Sequence, residues 1–484
     1  MMIRSRLVVT PRLVMLASFG GTSVLNYAFG LIMGWLLLPG DFGWLAFAQT
    51  LLLVAGLLLQ SGFSLALARS VANTGGHRRD ALVRGALVAN LLLAIAMGLA
   101  VIALYVLGPL GPGLETGTMA VLVALSFPFI SLAATARGGV QGSERFGMVA
   151  SLQFVEIFGK VLAGTVLVLL GFGVAGAVAG FLIGGLAASA LGSYFLVNKL
   201  GVRLRGALEL PALHVVAPMF GALLGLGLLL NLDLVGLKLF SGERALVGYY
   251  QAGIVLANAP YYLVMAALVP ILFVQVARLD SISATPKTLG ETLRFTLALV
   301  IPIELLLMIF PQATLTTLFP STYAPGAPSL PLLAVGNTLL ILVGLLSATF
   351  QAIGRAGVPA LVLLVVACVE PIVLRMVVPT QEALGAASVF IGASATALLC
   401  LGAVYLREID VESIGRAISW LCRYVAALGT CAIAGYAVFS AGLGGELAVV
   451  VGVACYLGAA IALRLVALPQ PGLLSAKAVT SDEE

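Results

Sequence analysis

Long apolar runs alternate with short polar stretches along the whole chain. Division at the clusters of charged residues, proline and glycine leaves about fourteen apolar segments, each near the roughly 20 residues that cross a bilayer as a helix. These segments are 13–38, 43–67, 83–107, 118–138, 148–170, 174–197, 212–237, 247–273, 293–311, 328–350, 358–379, 384–405, 419–440 and 446–467. The pattern predicts an all-α polytopic membrane protein with 14 transmembrane helices.

Composition supports this fold class. Hydrophobic residues make up 61% of the chain and charged residues only 9%, whereas about a quarter of the residues in soluble domains are charged. The net charge of +5 comes from basic residues between the segments, so it indicates topology rather than nucleic-acid binding. The first apolar run, Leu13–Leu38, is too long for a signal peptide and predicts an uncleaved helix.

The reactive residues predict neither a metal site nor a cofactor. His77 falls in a predicted loop and His214 at a predicted membrane interface. A glycine-rich phosphate loop is missing, which argues against ATP hydrolysis by this chain. The five cysteines lie in apolar stretches of the second half and lack metal-binding spacing: Cys368, Cys400, Cys422, Cys431 and Cys455.

Basic residues predict the orientation, because lysine and arginine concentrate in cytoplasmic loops. If the N-terminus is cytoplasmic, the external connections 108–117, 171–173, 311–328 and 379–383 carry neither lysine nor arginine, and only Lys238, Arg244 and Arg375 lie toward the outer side. We therefore predict that both termini are cytoplasmic. The cytoplasmic connections hold Arg69, Arg78, Arg79, Arg84, Arg137, Arg145, Lys199, Arg203, Arg205, Arg278, Lys287, Arg294, Arg355, Arg407 and Arg416.

The chain contains an internal repeat. Gln141–Asn198 predicts a cytoplasmic turn, a helix, a glycine-rich bend and a second helix, and Gln351–Tyr405 repeats this unit 210 residues later. Asn26 and Gly43 are likewise spaced as Asn231 and Gly248 are, 205 residues further on. Segments one to six therefore pair with segments seven to twelve. Because an even number of spans separates the copies, both run in the same sense about an axis along the membrane normal.

These repeats predict the domain organisation. The first six helices form an N-lobe at residues 1–205, and the next six form a C-lobe at 206–410. Two helices outside the repeat follow at 411–468, and a disordered cytoplasmic tail occupies 469–484.

Several short motifs point to a family. Leu38-Pro-Gly-Asp-Phe-Gly-Trp44 follows the first helix, and Gln60-Ser-Gly-Phe-Ser-Leu-Ala-Leu-Ala-Arg69 ends the second. Val140-Gln-Gly-Ser-Glu-Arg-Phe146, Asn231-Leu-Asp233 and Val247-Gly-Tyr-Tyr250 come later. Together they resemble the polysaccharide-type (Wzx-like) oligosaccharide flippases of the multidrug/oligosaccharidyl-lipid/polysaccharide exporter superfamily, over essentially the whole chain. Trp44 departs from the family pattern, in which small or apolar residues are common at that place.

The resemblance implies two six-helix lobes around a central cavity that opens alternately to each side of the membrane. It implies a multi-pass flippase of the cell (inner or plasma) membrane that moves a polyprenyl-diphosphate-linked oligosaccharide from the cytoplasmic to the outer leaflet for cell-surface polysaccharide export. Such a protein is a transporter rather than an enzyme and needs no cofactor. Its partners would be membrane lipids, a coupling ion such as H⁺ or Na⁺, and a polysaccharide polymerase or export protein.

Two other functions stay open. A cation-coupled exporter of small molecules or drugs, from the same superfamily, would share the fold but would need an acidic cluster that helix one lacks. A membrane glycosyltransferase or polysaccharide polymerase would need acidic or histidine-bearing loops outside the membrane, and the predicted external loops are bare.

Candidate substrate-binding residues begin with Glu156 and Lys160, which lie about one helical turn apart in a predicted span. Either they form a self-neutralising pair, or Lys160 faces the cavity, attracts the diphosphate and is oriented by Glu156. Glu370 is close to the repeat equivalent of Lys160. It either meets Lys160 across the axis as a charge latch, or pairs with Arg375 or a neighbouring helix.

Three arginines lie at predicted cytoplasmic helix ends: Arg69, Arg84 and Arg137. Either they only set the membrane topology, or they receive the diphosphate from the inner leaflet. The candidates for ion coupling are Asp233 and Glu304. Alternatively, Asp233 is hydrated or paired at the mouth of the cavity, and Glu304, near Pro302, is a buried neutral acid.

Overall fold

The computed structural model describes residues 11–72, 74, 76–108, 116–203, 205–241, 243–279 and 281–409, and the single positions 437, 451, 454, 455 and 458. Apart from those five positions, the two helices predicted within 411–468 lie outside the described residues, as does the predicted tail.

The described part of the chain forms fourteen α-helices and no β-strand. Three π-helical stretches, Gln60–Ser64, Val168–Phe172 and Phe195–Lys199, and two 3-10 segments, Ile282–Ala284 and Ser321–Ser329, lie between them. The helices are α1 Pro11–Leu36, α2 Pro39–Leu59, α3 Leu65–Ala72, α4 Gly76–Val106, α5 Gly117–Gly142, α6 Phe146–Leu167, α7 Gly173–Tyr194, α8 Leu213–Leu229, α9 Leu232–Phe240, α10 Arg244–Val276, α11 Pro286–Ile309, α12 Pro311–Leu318, α13 Leu330–Ala352 and α14 Gly357–Leu406.

By length and composition, eight helical stretches of the described chain are able to cross a membrane, or nine if the bent pair of α8 and α9 is one span. The prediction of an all-helical polytopic membrane protein is thus confirmed. The predicted seventh segment is bent by 46° between α8 and α9. At this bend the Asn231 side chain donates to the Gly227 carbonyl at 2.8 Å, which satisfies one of the carbonyls at the end of α8.

Two of the stretches are too long for a single crossing. Phe146–Lys199 has 54 residues and Gly357–Leu406 has 50, whereas a helix crosses the hydrocarbon core in roughly 20 residues. Gly171 (φ 93°) and Gly173 (φ 53°) break the first stretch, and Glu382 (φ 49°) breaks the second. Both breaks fall in the short connections that the sequence predicts.

The two breaks share one backbone conformation. Gly173 (φ 53°, ψ −139°) and Glu382 (φ 49°, ψ −128°) lie 209 residues apart. The turns that precede the two units also match, since Glu144 (φ 56°) and Gly354 (φ 81°) are both left-handed and lie 210 residues apart. The sequence repeat is therefore also a repeat of backbone geometry.

The helices pack in two groups. In the first, α1 to α7, α6 packs on α1 and α7, and α5 packs on α4 and α7. In the second, α8 to α14, α14 packs on α8, α9 and α13, and α10 packs on α13. The groups meet mainly where α10 crosses α1 and α2.

At one end of the region where the two groups meet, a set of residues from both groups packs together, and we call this set the junction. Trp35 Nε1 donates to the Leu318 carbonyl at 2.8 Å, and the Tyr323 hydroxyl donates to the Leu37 carbonyl at 2.9 Å. The rings of Phe42 and Tyr323 meet edge to face with their centroids 5.8 Å apart. The junction comprises Trp35, Leu37, Phe42, Gly43 and Trp44 from the first group and Lys238, Gly248, Leu318, Phe319 and Tyr323 from the second.

Candidate functional site

One face of α6 carries three polar side chains, Gln153, Glu156 and Lys160, at helical spacings of three and four residues. Gln153 Nε2 donates to the Thr22 hydroxyl of α1 at 3.3 Å, and Lys160 Nζ donates to Asn26 Oδ1, one turn further along α1. A ladder of polar contacts therefore joins α6 to α1 inside the first group.

Lys160 is buried, with 7% of its surface exposed. Its Nζ atom lies 4.9 Å from the ring centroids of both Phe29 in α1 and Phe181 in α7. A Cβ on Gly184 of α7 would overlap the backbone of α6 at Glu156 and Lys160, so a glycine is needed for α7 to pack this closely. The ammonium group is thus held by an amide oxygen and two aromatic faces.

Glu156 forms an ion pair with Arg137 of α5, and Lys160 donates a hydrogen bond to Asn26 of α1. Glu156 and Lys160 also interact electrostatically, as their helical spacing predicts. Both side chains of the Arg137–Glu156 pair are largely buried. Among the described residues, Arg137 Nη2 has no hydrogen-bond partner although it is buried. We call Arg137, Glu156 and Lys160 the basic cluster: it contains two cations and one carboxylate.

A second polar cluster lies in the second group. Asp233 of α9 is 1% exposed, rather than at a wet mouth, and its Oδ2 accepts a hydrogen bond of 2.7 Å from the Tyr250 hydroxyl of α10. Glu370 of α14 is 2% exposed and close enough to interact electrostatically with Asp233 and Tyr250. Within the described chain, Asp233 Oδ1 and both Glu370 carboxyl oxygens lack hydrogen-bond partners. We call these three residues the acidic cluster.

Lys160 and Glu370 therefore lie in different clusters, one in each group of helices. Arg375, the alternative partner of Glu370, has its guanidinium carbon 6.0 Å from the ring centroid of Phe240. Glu304 in α11 belongs to neither cluster. It is 2% exposed, and neither of its carboxyl oxygens has a hydrogen-bond partner among the described residues.

The two remaining arginine candidates differ in their environment. Arg69 in α3 is exposed. Arg84 in α4 is 8% exposed and donates to the backbone carbonyls of Arg203 and, at 3.0 Å, Ala207. Arg84 thereby attaches two carbonyls of the linker between the two groups of helices, residues 200–203 and 205–212, to α4.

Sequence reasoning missed four partners of the candidate residues. Asn26 and Tyr250 appear in the sequence only as repeat and motif positions, and Phe29 and Phe181 resemble any other core aromatic residue. An asparagine inside an apolar helix is a signal that was available, because polar side chains at membrane depth need partners. In the part of the chain that the structure describes, no group of three or more His, Cys, Asp or Glu residues is arranged to hold a metal ion.

A family model described as "Polysaccharide biosynthesis protein" matches residues 32–328, and no curated protein matches the sequence. The solved structure of the lipid II flippase MurJ, in an inward closed conformation, is similar with a TM-score of 0.72 and 14% identity, over 92% of this chain and 98% of that one. A multidrug resistance MATE family transporter of the MOP superfamily, in an inward-facing conformation, has a TM-score of 0.59 and 16% identity, over 80% and 93% of the two chains.

The structural matches establish a shared fold, and the family model covers more than half of the chain. The resemblance predicted from the motifs is confirmed at the level of the family: the chain belongs to the polysaccharide biosynthesis protein family.

Proposed function

We propose that this chain is a flippase that moves a polyprenyl-diphosphate-linked oligosaccharide from the cytoplasmic to the outer leaflet of the cell membrane by alternating access. Membership of the polysaccharide biosynthesis family and the fold shared with a lipid II flippase support a saccharide-bearing lipid as the cargo. The protein acts as a transporter rather than an enzyme. Its product would pass to a polymerase or export protein for cell-surface polysaccharide.

The surplus positive charge of the basic cluster carries this proposal. Arg137 and Lys160 supply two cations, and Glu156 supplies one carboxylate. Charged groups at membrane depth are costly and persist where they serve transport. This surplus attracts an anion such as a diphosphate, and Arg137 Nη2, a buried donor without a partner in the described residues, has a hydrogen bond to offer it.

The side chains of the basic cluster then have distinct roles. Lys160 attracts the diphosphate as a point charge, and its position is set by Asn26, Phe29 and Phe181. Arg137 contributes a directed hydrogen bond, while Glu156 orients its guanidinium through the ion pair. The saccharide travels through the polar space between the lobes, and the polyprenyl chain stays in the lipid.

The helix breaks support the topology proposed for this transport. Counting each of the two long broken stretches as two crossings and α8 with α9 as one, and adding α1, gives twelve crossings in the described chain. With the two helices predicted at 411–468, the total is fourteen, with both termini cytoplasmic. In this topology α1–α7 belong to the N-lobe and α8–α14 to the C-lobe. The junction then closes the outer side, so the cavity faces the cytoplasm.

We further propose that the acidic cluster binds the coupling cation, H⁺ or Na⁺. Asp233 and Glu370 are buried carboxyl groups with oxygens that have no hydrogen-bond partner in the described part of the chain, and they offer the hard oxygen ligands that such a cation needs. Glu304 is a second proton-binding candidate, since among the described residues neither of its buried carboxyl oxygens has a hydrogen-bond partner.

The acidic cluster also favours a second candidate function. A cation-coupled exporter of small organic cations would use the same fold, with the buried acids exchanging substrate for H⁺ or Na⁺. This candidate leaves the surplus charge of the basic cluster unexplained, because a basic cluster repels organic cations.

Transport in sealed proteoliposomes tests the proposal. A fluorescent polyprenyl-diphosphate oligosaccharide is incorporated, and an impermeant quencher measures the fraction in each leaflet. We expect transport by the parent, a fall of about tenfold or more in Lys160→Ala, and no change in Lys199→Ala, which replaces a lysine in the stretch after α7. Unchanged transport by Lys160→Ala would remove the basic cluster from the mechanism. A parent that moves no lipid-linked saccharide but exports organic cations down a cation gradient would establish the second candidate.

A further inference from the structure

A buried lysine and a buried tryptophan meet across the junction. Lys238, in the last turn of α9, is 4% exposed, and Trp44, in α2, is 6% exposed. Lys238 Nζ lies 3.6 Å from the Trp44 ring centroid. The two residues belong to different groups of helices, whereas Lys160 and Lys199 each contact aromatic rings of their own group.

The contacts around this pair close the same end of the molecule. Gly43, next to Trp44, packs against Gly248, and Phe42 packs against Phe319 and Tyr323. Separation of the two groups at the junction would necessarily part Lys238 from Trp44. The ammonium group would then pass from an aromatic face to water.

Two opposing effects act on Lys238. In the closed junction, the indole face and the carbonyl end of α9 are among the groups that compensate its charge. In the open junction, water solvates it fully. Because burial of a charge is costly even when it has good partners, an apolar side chain at the same place would hold the junction closed more firmly than lysine does.

We infer that Lys238 and Trp44 form a gate latch: the Trp44 ring lets the junction close over a charge, and hydration of that charge lets the junction open again. This inference rests on the proposed alternating access and adds the residues that set the balance between the closed and open states. It predicts that substitutions of the two residues shift the gate in opposite directions.

The rate at which a buried cysteine in the junction is labelled reports the fraction of molecules in which the junction is open. Leu37 lies in the junction and is 7% exposed, so a Leu37→Cys reporter reacts with an impermeant maleimide only when the junction opens. The reporter is placed in a chain whose five native cysteines are replaced by alanine. A separate Thr380→Cys reporter, at an exposed position near the Glu382 break, calibrates access of the reagent.

Trp44→Leu deprives the buried charge of its aromatic face, and we expect labelling to speed up about tenfold or more. Lys238→Met removes the charge, and we expect labelling to slow by about tenfold. Lys238→Arg keeps a cation that stacks on tryptophan and leaves the rate near the parent value. Lys199→Met, which breaks a cation–aromatic contact outside the junction, serves as the matched control.

The double variant Lys238→Met with Trp44→Leu separates the latch from simple packing. If the latch exists, most of the Trp44→Leu effect disappears once the charge is gone. An equal effect of Trp44→Leu in both backgrounds, or a faster rate in Lys238→Met, would overturn the inference. Trp44→Phe provides a milder variant should Trp44→Leu fail to fold, with an intermediate rate expected.

Labelling needs no substrate, so its outcome is independent of what the protein carries. Opposite shifts in labelling together with no saccharide transport would retain the latch and reject the flippase. Saccharide transport by the parent with labelling rates unmoved by these variants would retain the flippase and reject the latch.

Discussion

Gly43 in α2 and Gly248 in α10 lie against each other at the junction, although 205 residues separate them in the sequence. They occupy corresponding positions of the two repeats, so the junction forms where the repeated elements meet. A Cβ on Gly43 would lie 2.8 Å from the Gly248 backbone nitrogen, and one on Gly248 would overlap the Pro39 carbonyl. Only glycine permits this approach of two backbones.

The first prediction concerns this contact. Gly248→Ala forces the junction apart. We expect it to destabilise the closed state relative to the open state by about 1–3 kcal/mol, which is the usual cost of overpacking. The expected readout is faster labelling of the Leu37→Cys reporter. Gly392→Ala in α14, where an added Cβ meets no atom within 4 Å, is the control and should leave the rate unchanged. Equal rates for the two variants would show that the junction tolerates the methyl group.

Substitution of Lys160 should reduce transport without reducing stability. Lys160→Met removes a buried charge but keeps the volume, so we expect thermal stability in detergent to be equal to or higher than that of the parent. Transport of the lipid-linked saccharide should nevertheless fall. Asn26→Leu removes the acceptor and leaves the charge buried, and should destabilise the protein by about 1–3 kcal/mol. A Lys160→Met protein that is less stable than Asn26→Leu would contradict this account.

Backbone strain at Glu382 provides a third prediction. Its backbone has the conformation of Gly173 in the other repeat, and such a conformation costs a residue with a side chain about 1–3 kcal/mol. Glu382→Gly relieves this strain at an entropic cost of about 0.5–1 kcal/mol, so we expect a net gain in the melting temperature. Glu382→Ala keeps the strain and serves as the control. A gain with alanine as large as that with glycine would attribute the effect to the lost charge instead.

The linker prediction uses Arg84. Arg84→Met leaves the Arg203 and Ala207 carbonyls without their buried donor, so we expect the linker to open more often around these two residues. Limited trypsin digestion should then cleave faster at Arg203 and Arg205, which are exposed. Arg69→Met, at an exposed position of α3, is the matched control. Unchanged cleavage in Arg84→Met would mean that other contacts hold the linker.

A fifth prediction tests the proposed cation site. A cation that binds only the folded protein raises its melting temperature with concentration. We expect Na⁺ or a lower pH, compared with choline at neutral pH, to stabilise the parent but neither Asp233→Asn nor Glu370→Gln. Asp233→Asn keeps an acceptor for the Tyr250 hydroxyl, so its basal fold should survive. Glu304→Gln measured in parallel identifies which acid responds to protons.

The sequence by itself determined the membrane class and the repeat, and it predicts the segments. Each of these is a local property: apolar runs mark the spans, glycine and proline mark the connections, and basic residues predict which loops are cytoplasmic. Even the helix breaks at Gly173 and Glu382 fall where the sequence predicts a connection. The bend at Asn231 is not predicted by the sequence, because a hydrogen bond from a side chain to a backbone carbonyl does not change the hydropathy pattern.

Only the tertiary structure decided the partners of the charged residues. Helical spacing brings Glu156 near Lys160, but only the packing of α5 and α1 on α6 adds the ion pair of Glu156 with Arg137 and the hydrogen bond of Lys160 to Asn26. The repeat aligns Lys160 with Glu370, but each side chain is buried within its own group of helices. A partner from another helix is set by how whole helices pack, and that packing joins Trp44 to Lys238 across 194 positions of the sequence.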